Sequence, residues 1–155
     1  WPLPRAFAKR CPSPGQHHKE ITLTNEQARQ LSPLTLAYMG DAIYEMYVRQ
    51  SLIGRHPGRT THDLHIMATR LVRAGAQAFT AAALMDRLTE EERGVFRRGR
   101  NMHNATVPKH ADVGDYRAST GFEAVLGYLY LTEQTDRLEA VLAMASQMTW
   151  EELER

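Results

Sequence analysis

The sequence predicts an all-α fold, and three observations lead to that class. From Glu20 onward, apolar side chains recur at the spacing of one face of a helix. Ser or Thr residues followed by Gln, Glu or Pro mark several helix starts. The alternation of apolar and polar residues that is typical of strands is nearly absent. Six or more helices joined by short loops are therefore expected to form a helical bundle.

Size and composition indicate one domain. The 155 residues are enough to bury a core, and no apolar run is long enough to span a bilayer, so we expect no membrane partner. The single cysteine, Cys11, excludes an internal disulfide and a cysteine-based metal site, which favours a reducing, cytoplasmic setting. With a net charge of +1, attraction to nucleic acid would have to come from local clusters of charge.

The first 19 residues differ from the rest of the chain. They contain four prolines and four basic residues, no acid and no helical periodicity. We predict a disordered N-terminal arm over residues 1–19 and one folded domain over residues 20–155.

The first two helices are predicted from their caps. Thr24 and Gln27 have the spacing of a capping box, which opens a short helix that ends near residue 30. Ser32 and Pro33 suit the N-cap and first position of a long helix that continues to about residue 53. Gly54 and the Pro-Gly turn at residues 57–58 end this second helix.

Two more helices are predicted in the middle of the chain. Thr61 begins a helix whose apolar residues recur to about Met85. Thr89 and Glu92 form a second capping box, and the helix that follows leads into "VFRRGRNMHN".

The last third begins with residues 105–117, the longest stretch without a helical pattern. A cap at Ser119 or Thr120 opens an apolar helix to about residue 131, and another helix covers about 136–147. Thr149 with Glu152 is expected to cap a final turn.

A carboxylate and a glycine interrupt the apolar run "LAYMGDAIYEMYV" at residues 36–48 of the second helix. A partly buried Asp41 requires a cation or hydrogen-bond donors. Gly40 costs about 1 kcal/mol relative to alanine inside a helix, which indicates close approach by another helix or a ligand. Asp41 is therefore either satisfied inside the core or part of a binding site.

Glu123 repeats this pattern in the later apolar segment "STGFEAVLGYLYL", residues 119–131. A position in the first helical turn, where the helix dipole favours negative charge, would explain it without a function. If the two apolar helices converge in the bundle, however, Asp41 and Glu123 together offer oxygen ligands for a hard cation such as Mg²⁺.

A basic cluster covers residues 93–110, with five Arg or Lys residues, two histidines and no acid. Its arginines lie at a helix end and can reach successive phosphates of a nucleic acid. They also suit a solvated helix C-terminus, and the preceding "TEEER" can neutralise part of their charge.

The histidines offer one further hypothesis. His62 and Asp63 form the dipeptide found in helical metal-dependent phosphohydrolases. That site needs an upstream helical histidine, and the only upstream ones lie in the predicted arm, so a structural role of Asp63 in the first helical turn is favoured. A glycine-rich phosphate loop, a nucleophile elbow and an HExxH sequence are absent.

Four separated segments together resemble the ribonuclease III family. "LAYMGDAIYE", "FRRGRN", "TVPKHADVGDYR" and "STGFEAVLGYLYL" occur in the order of its Mini-III branch, which has the catalytic domain without a separate double-stranded-RNA-binding domain. The similarity covers residues 31–153. It implies a ribonuclease III-type helical catalytic domain that forms a homodimer, uses Mg²⁺ and cleaves double-stranded RNA, chiefly a large-subunit ribosomal RNA precursor, with ribosomal proteins as further partners.

The resemblance also implies roles for individual residues. Asp41 and Glu123 correspond to metal-binding and catalytic carboxylates, and Glu45 lies one helical turn beyond Asp41, where it can assist from outside the ligand set. Larger family members carry further carboxylates where this chain has Ala37 and Thr120, so the number of metal ions per site stays open.

Contacts to the RNA backbone are assigned to the basic segment, because duplex RNA is recognised mainly by shape and backbone. The residues expected there are Arg97, Arg98, Arg100, Asn101, Asn104, Thr106 and Lys109. Weaker candidates are Arg70, Arg73 and Gln77. The alternative function is a catalytically silent helical dimer that binds structured RNA or ribosomal particles.

Overall fold

A computed structural model describes residues 22–102 and 107–153, and this part of the chain is built from helices, without a strand. The predicted arm at residues 1–19 lies outside the described residues. The described residues form seven α-helices, α1 (Asn25–Gln30), α2 (Pro33–Arg55), α3 (Thr61–Val72), α4 (Ala74–Leu84), α5 (Glu90–Asn101), α6 (Val113–Leu131) and α7 (Thr135–Leu153). A 3₁₀ turn, Met85–Arg87, joins α4 to α5. The predicted all-α class is confirmed.

Helix α6 lies at the centre of the bundle and packs against α2, α4 and α5. Every residue from Ser119 to Leu129 is buried except Glu123, which is partly exposed. A helix that is apolar on all sides has to be surrounded by other helices, and this explains why α6 shows no polar face over these residues.

Two glycines allow α2 and α6 to touch through their backbones. A Cβ atom placed on Gly40 would lie 1.7 Å from the carbonyl oxygen of Glu123, and one on Gly127 would lie 1.9 Å from that of Leu36. No side chain fits at either position, so the helix-weakening Gly40 is explained by close helix packing.

The helix N-caps predicted at Thr24, Ser32 and Thr89 are confirmed. Thr24 and Thr89 each form a reciprocal capping box, and the Ser32 hydroxyl accepts a hydrogen bond from the backbone of Leu34. These caps satisfy backbone N–H groups that have no partner inside their own helix.

Two predicted boundaries are wrong. Helix α6 begins at Val113, where the Asp112 side chain caps it, about two turns before the predicted start. The helix predicted from residue 61 to residue 85 is divided at Arg73, whose backbone is extended. Its start at Thr61 is as predicted, with Thr60 as the N-cap.

The final turn is also different, because α7 continues without a break to Leu153. Thr149 is a buried residue inside this helix, and its hydroxyl donates to the carbonyl oxygen of Ala145 at 2.8 Å. The Thr149 oxygen also lies 2.7 Å from that of Thr80 and 3.4 Å from that of Tyr44, which links α7 to α4 and α2. Among the described helices, none combines the length and apolar character needed to cross a membrane.

Candidate active site

Asp41 and Glu123 meet where α2 crosses α6. The Gly40 backbone contacts the Glu123 carbonyl, so Asp41, the next residue along α2, is held beside the same turn of α6. The negative charge of Asp41 raises the pKa of Glu123, which is the electrostatic consequence of this proximity. The convergence predicted for the two apolar helices is therefore present.

Glu123 has the more unusual environment of the two carboxylates. Burial is the main cause that raises its pKa to about 7, and the charge of Asp41 acts in the same direction. The side chain of Gln77 on α4 is hydrogen-bonded to Glu123 and opposes this rise. A carboxyl group that ionises near neutral pH is typical of functional sites. Its pKa stays raised there because no positively charged side chain compensates for burial.

Asp41 lies on the exposed side of α2. Partial burial raises its pKa, and the nearby charge of Glu45 raises it further. Glu45 itself forms an ion pair with Arg49, with 2.7 Å between carboxylate oxygen and guanidinium nitrogen. Glu45 thus lies within electrostatic range of Asp41.

The donor atoms at this crossing suit a hard divalent cation. The charge of Asp41 raises the pKa of Glu123, and a cation beside both carboxylates would offset this repulsion. The described residues contain no group of three or more His, Cys, Asp or Glu side chains arranged to hold a metal ion. A buried oxygen without a hydrogen-bond partner, Oε1 of Gln77, lies on the side chain that contacts Glu123.

Ala37 and Thr120, the positions at which the resemblance implies further carboxylates in larger family members, are both buried here. Ala37 is 6% exposed and Thr120 is 7% exposed, and the Thr120 hydroxyl donates to the carbonyl oxygen of Tyr116 at 3.0 Å. Neither side chain offers a carboxylate oxygen to the crossing of α2 and α6.

The predicted RNA-contacting arginines lie along the last two turns of α5. Arg97 is ion-paired with Glu90 at 2.9 Å, and Arg98 donates to the carbonyl oxygen of Arg29 at 2.8 Å. Arg100 lies over the Phe96 ring at 5.8 Å from its centre. All three arginines are exposed, so their charge reaches solvent while each side chain has a partner within the protein.

The other residues predicted to contact RNA lie at different places in the chain, and two of them are not described by the structure. Asn101 ends α5, and Lys109 is exposed in the loop before α6. Asn104 and Thr106 lie outside the described residues. The weaker candidates Arg70 and Arg73 are exposed.

The structure contradicts the prediction that Gln77 contacts RNA. Gln77 is only 2% exposed, because the face of α4 that carries it packs against α6. The sequence could indicate a polar residue on a helix but not that this turn of α4 lies beside Glu123, since α4 and α6 are far apart along the chain.

The histidine hypothesis gains no support from the structure. His62 and His65 are exposed on α3, and the Thr60 hydroxyl accepts a hydrogen bond from the Asp63 backbone N–H at 3.2 Å. Asp63 therefore occupies the first turn of a capped helix, as the structural interpretation expected.

Comparisons with known proteins identify the family of this chain. Residues 34–134 match the family described as the Ribonuclease III domain. A Mini-ribonuclease 3 from Symbiobacterium thermophilum is 53% identical over 116 residues, covering 75% of this chain and 88% of that protein. Another from Enterococcus faecalis is 49% identical over 117 residues, covering 74% and 87%.

A solved structure shows the same fold. The crystal structure of a Fusobacterium nucleatum protein is 26% identical and superimposes with a TM-score of 0.69, covering 77% of this chain and 94% of that one. With the family match across residues 34–134 and relatives about half identical, this chain belongs to the ribonuclease III family and is similar throughout that region to the Mini-ribonuclease 3 proteins.

Proposed function

We propose that this protein is a Mg²⁺-dependent endoribonuclease that cleaves double-stranded RNA. The observation that carries the proposal is the meeting of Asp41 and Glu123 at the α2–α6 crossing in a chain of the ribonuclease III family. Family membership alone supports ribonuclease activity, whereas the paired carboxylates supply the chemical reason for a divalent cation.

Asp41 and Glu123 are the residues that would hold the cation. When bound, a divalent cation supplies Lewis acidity, lowering the pKa of water and neutralising charge at the scissile phosphate. The backbone contact between Gly40 and Glu123 fixes the separation of the two helices that carry the ligands. Glu123 has to lose its proton to act as a ligand, and its pKa of about 7 makes that loss accessible near neutral pH.

RNA recognition is assigned to the exposed end of α5 and the loop that follows it. A-form RNA hides its base edges in a deep, narrow groove, so a protein reads a duplex mainly through its backbone and 2′-hydroxyls. Arg97, Arg98 and Arg100 can exchange their weak intramolecular partners for phosphate oxygens, because exposed ion pairs contribute little stability.

A homodimer is proposed through the exposed face of α2. Tyr38, Met46 and Ile53 are 83%, 45% and 58% exposed, which is high for large apolar side chains on one helix. The concave surface lined by Met46 and Ile53 also includes Asp41. A second copy on this face would place its own site nearby, so that a dimer can act on both strands of a duplex.

The biological substrate proposed is a large-subunit ribosomal RNA precursor, cleaved in the cytoplasm with ribosomal proteins as further partners. The support for this finer assignment is the similarity to the Mini-III branch in the four sequence segments.

The test is incubation of the purified protein with a long RNA duplex, with Mg²⁺ or with a chelator. We expect cleavage only with Mg²⁺, leaving 5′-phosphate ends. Asp41→Asn and Glu123→Gln should each reduce cleavage by more than about 100-fold while duplex binding persists, because only the cation ligands change. Asp86→Asn, which removes an exposed carboxylate outside the site, serves as the matched control. Cleavage by either site variant at the wild-type rate would remove that residue from the mechanism.

The same incubation tests the alternative of a catalytically silent RNA-binding dimer. Duplex binding by the wild-type protein without Mg²⁺-dependent cleavage would favour the silent dimer. Retention of both Asp41 and Glu123, brought together at the helix crossing, argues against it.

A further inference from the structure

Gln77 is a fully buried polar residue that the proposed function leaves without a role. It lies in the first turn of α4, where its Nε2 donates to the carbonyl oxygen of Val72 at 2.9 Å. This bond joins α4 to the end of α3 across the break at Arg73 and accounts for one of the two amide hydrogens.

The second amide hydrogen is directed to the site. Gln77 is hydrogen-bonded to the Glu123 side chain, and it favours the charged carboxylate, which requires that Gln77 donates. One hydrogen of Nε2 is therefore bonded to Val72, and the other faces the Glu123 carboxylate. The amide group cannot rotate without losing both contacts, so its oxygen is held in a fixed direction.

That oxygen, Oε1 of Gln77, has no hydrogen-bond partner within the described residues and is the only buried side-chain nitrogen or oxygen there in this condition. Buried polar atoms are nearly always satisfied, because an unpaired acceptor removed from water destabilises the fold. When Glu123 is ionised, as a cation ligand must be, its carboxylate cannot donate to this oxygen, so the missing donor has to come from a group outside the protein.

A comparison within the same helix shows that this is not a general property of α4. Thr80, one turn further along, is also fully buried. Its hydroxyl contacts both the carbonyl oxygen of Ala76 and the hydroxyl of Thr149, so it is satisfied by the protein alone. Gln77 differs from Thr80 because one of its polar atoms, Oε1, has no hydrogen-bond partner within the described residues.

We propose that Gln77 is a positioning residue of the cation site: its Nε2 holds the Glu123 carboxylate in the orientation that binds the cation, and its Oε1 accepts a hydrogen bond from water that enters with the cation. This inference rests on the proposed function, because it requires that Glu123 binds a divalent cation. It adds a third side chain, from a third helix, to a site with only two carboxylates.

Binding of Mn²⁺ to the RNA-free protein, followed by electron paramagnetic resonance, tests the proposal without relying on cleavage. Gln77→Met keeps the length of the side chain but removes both amide functions. We expect Mn²⁺ to bind about 10-fold to 100-fold more weakly than to the wild type, which is the usual effect of losing a group that orients a ligand. Thr80→Val, which removes a buried hydroxyl from the same helix, should leave Mn²⁺ affinity within about twofold of the wild type.

The outcomes separate the two proposals. Wild-type protein without a Mn²⁺ site involving Asp41 and Glu123 would contradict the proposed function. Wild-type binding with unchanged affinity in Gln77→Met would overturn the role of Gln77 and leave the proposed function standing. Equal weakening in Gln77→Met and Thr80→Val would assign the effect to helix packing, and it would also overturn the role of Gln77.

If Gln77→Met does not fold, the wild-type protein supplies the test through the NMR signals of its glutamine side-chain amides. Addition of Mg²⁺ should shift the Gln77 amide resonances, because the carboxylate that they contact becomes a ligand and Oε1 gains a donor. Gln134, whose Nε2 donates to the Thr132 hydroxyl at 2.9 Å, is the internal control and should not shift. An unchanged Gln77 signal at a Mg²⁺ concentration that saturates the Glu123 carboxyl signal would overturn the proposal.

Discussion

Gly40 connects the packing of this protein to its candidate chemistry. The residue lies beside Asp41 in sequence and against the Glu123 backbone in space, so one glycine sets the distance between the helices that carry both carboxylates. The sequence indicated a close approach at this position, and the structure shows that the approaching group is the backbone of α6.

Gly40→Ala should destabilise the fold strongly. The added Cβ would lie 1.7 Å from the Glu123 carbonyl oxygen, so α2 and α6 would have to separate. We expect the free energy of unfolding to fall by about 3 kcal/mol or more, as for severe overpacking. Gly94→Ala is the control, because nothing lies within 4 Å of its added Cβ inside α5, and it should be neutral or stabilising by up to about 1 kcal/mol. Denaturant unfolding of both variants measures the difference; equal stability of Gly40→Ala and wild type would contradict the close contact.

Glu123 should make the metal-free protein less stable as the pH rises. Burial raises the pKa of Glu123 to about 7 in the folded state, against 4.5 in an ordinary environment. Between these values the folded protein holds a proton that the unfolded chain has lost, so stability falls with rising pH. Glu123→Gln has no such proton, and its stability relative to wild type should increase by about 1 to 3 kcal/mol between pH 4.5 and pH 8.

Unfolding of both proteins in the presence of a chelator measures this difference. Parallel stability curves for wild type and Glu123→Gln across that pH range would show that the carboxyl group is not buried as described.

At the scale of helices, the start of α6 changes the interpretation of Glu123. The sequence allowed Glu123 to lie in a first turn, where the helix dipole would favour its charge. With the cap at Asp112, Glu123 lies near the middle of the helix instead. The local explanation therefore does not apply, and the position of the carboxylate in the core agrees better with a functional role.

The end of α5 gives a prediction for RNA binding. Arg97→Ala combined with Arg98→Ala should weaken duplex binding and reduce the slope of log affinity against log salt by about 1 to 2, because two phosphate contacts are lost. Arg59→Ala combined with Arg87→Ala removes the same charge from exposed positions outside α5 and is the control. Filter binding in the presence of a chelator, over a series of salt concentrations, measures both. A slope unchanged from wild type in the α5 variant would reject this surface.

At the scale of the whole molecule, the exposed face of α2 predicts dimerisation. Met46→Glu combined with Ile53→Glu should convert a dimer to monomer, because two charges would be buried in an apolar interface. Ile66→Glu combined with Phe79→Glu adds the same charge at other exposed apolar positions and should leave the assembly unchanged. Sedimentation equilibrium measures the mass of each variant. A monomeric wild type, or a dimer that persists in the α2 variant, would contradict this interface.

The fold class and most helix starts follow from the sequence because they depend on short-range chemistry. Capping at Thr24, Ser32 and Thr89 involves groups within three residues of one another, so spacing is sufficient to predict it. The cap at Asp112 was missed because Pro108 and the polar residues around it are typical of a loop. Thr149 was misread as a cap, since a buried hydroxyl and a capping hydroxyl look alike in sequence.

The sequence by itself determined the helical class, the two carboxylates and the family that they indicate, because periodicity, caps and motifs are carried by residues close together in the chain. The tertiary structure decided which groups surround those carboxylates. Gln77 reaches Glu123 only because α4 packs on α6, and the pKa of Glu123 rises because both α2 and α4 exclude water from it. Burial and long-range contact depend on how helices distant in sequence pack together, and no local pattern encodes them.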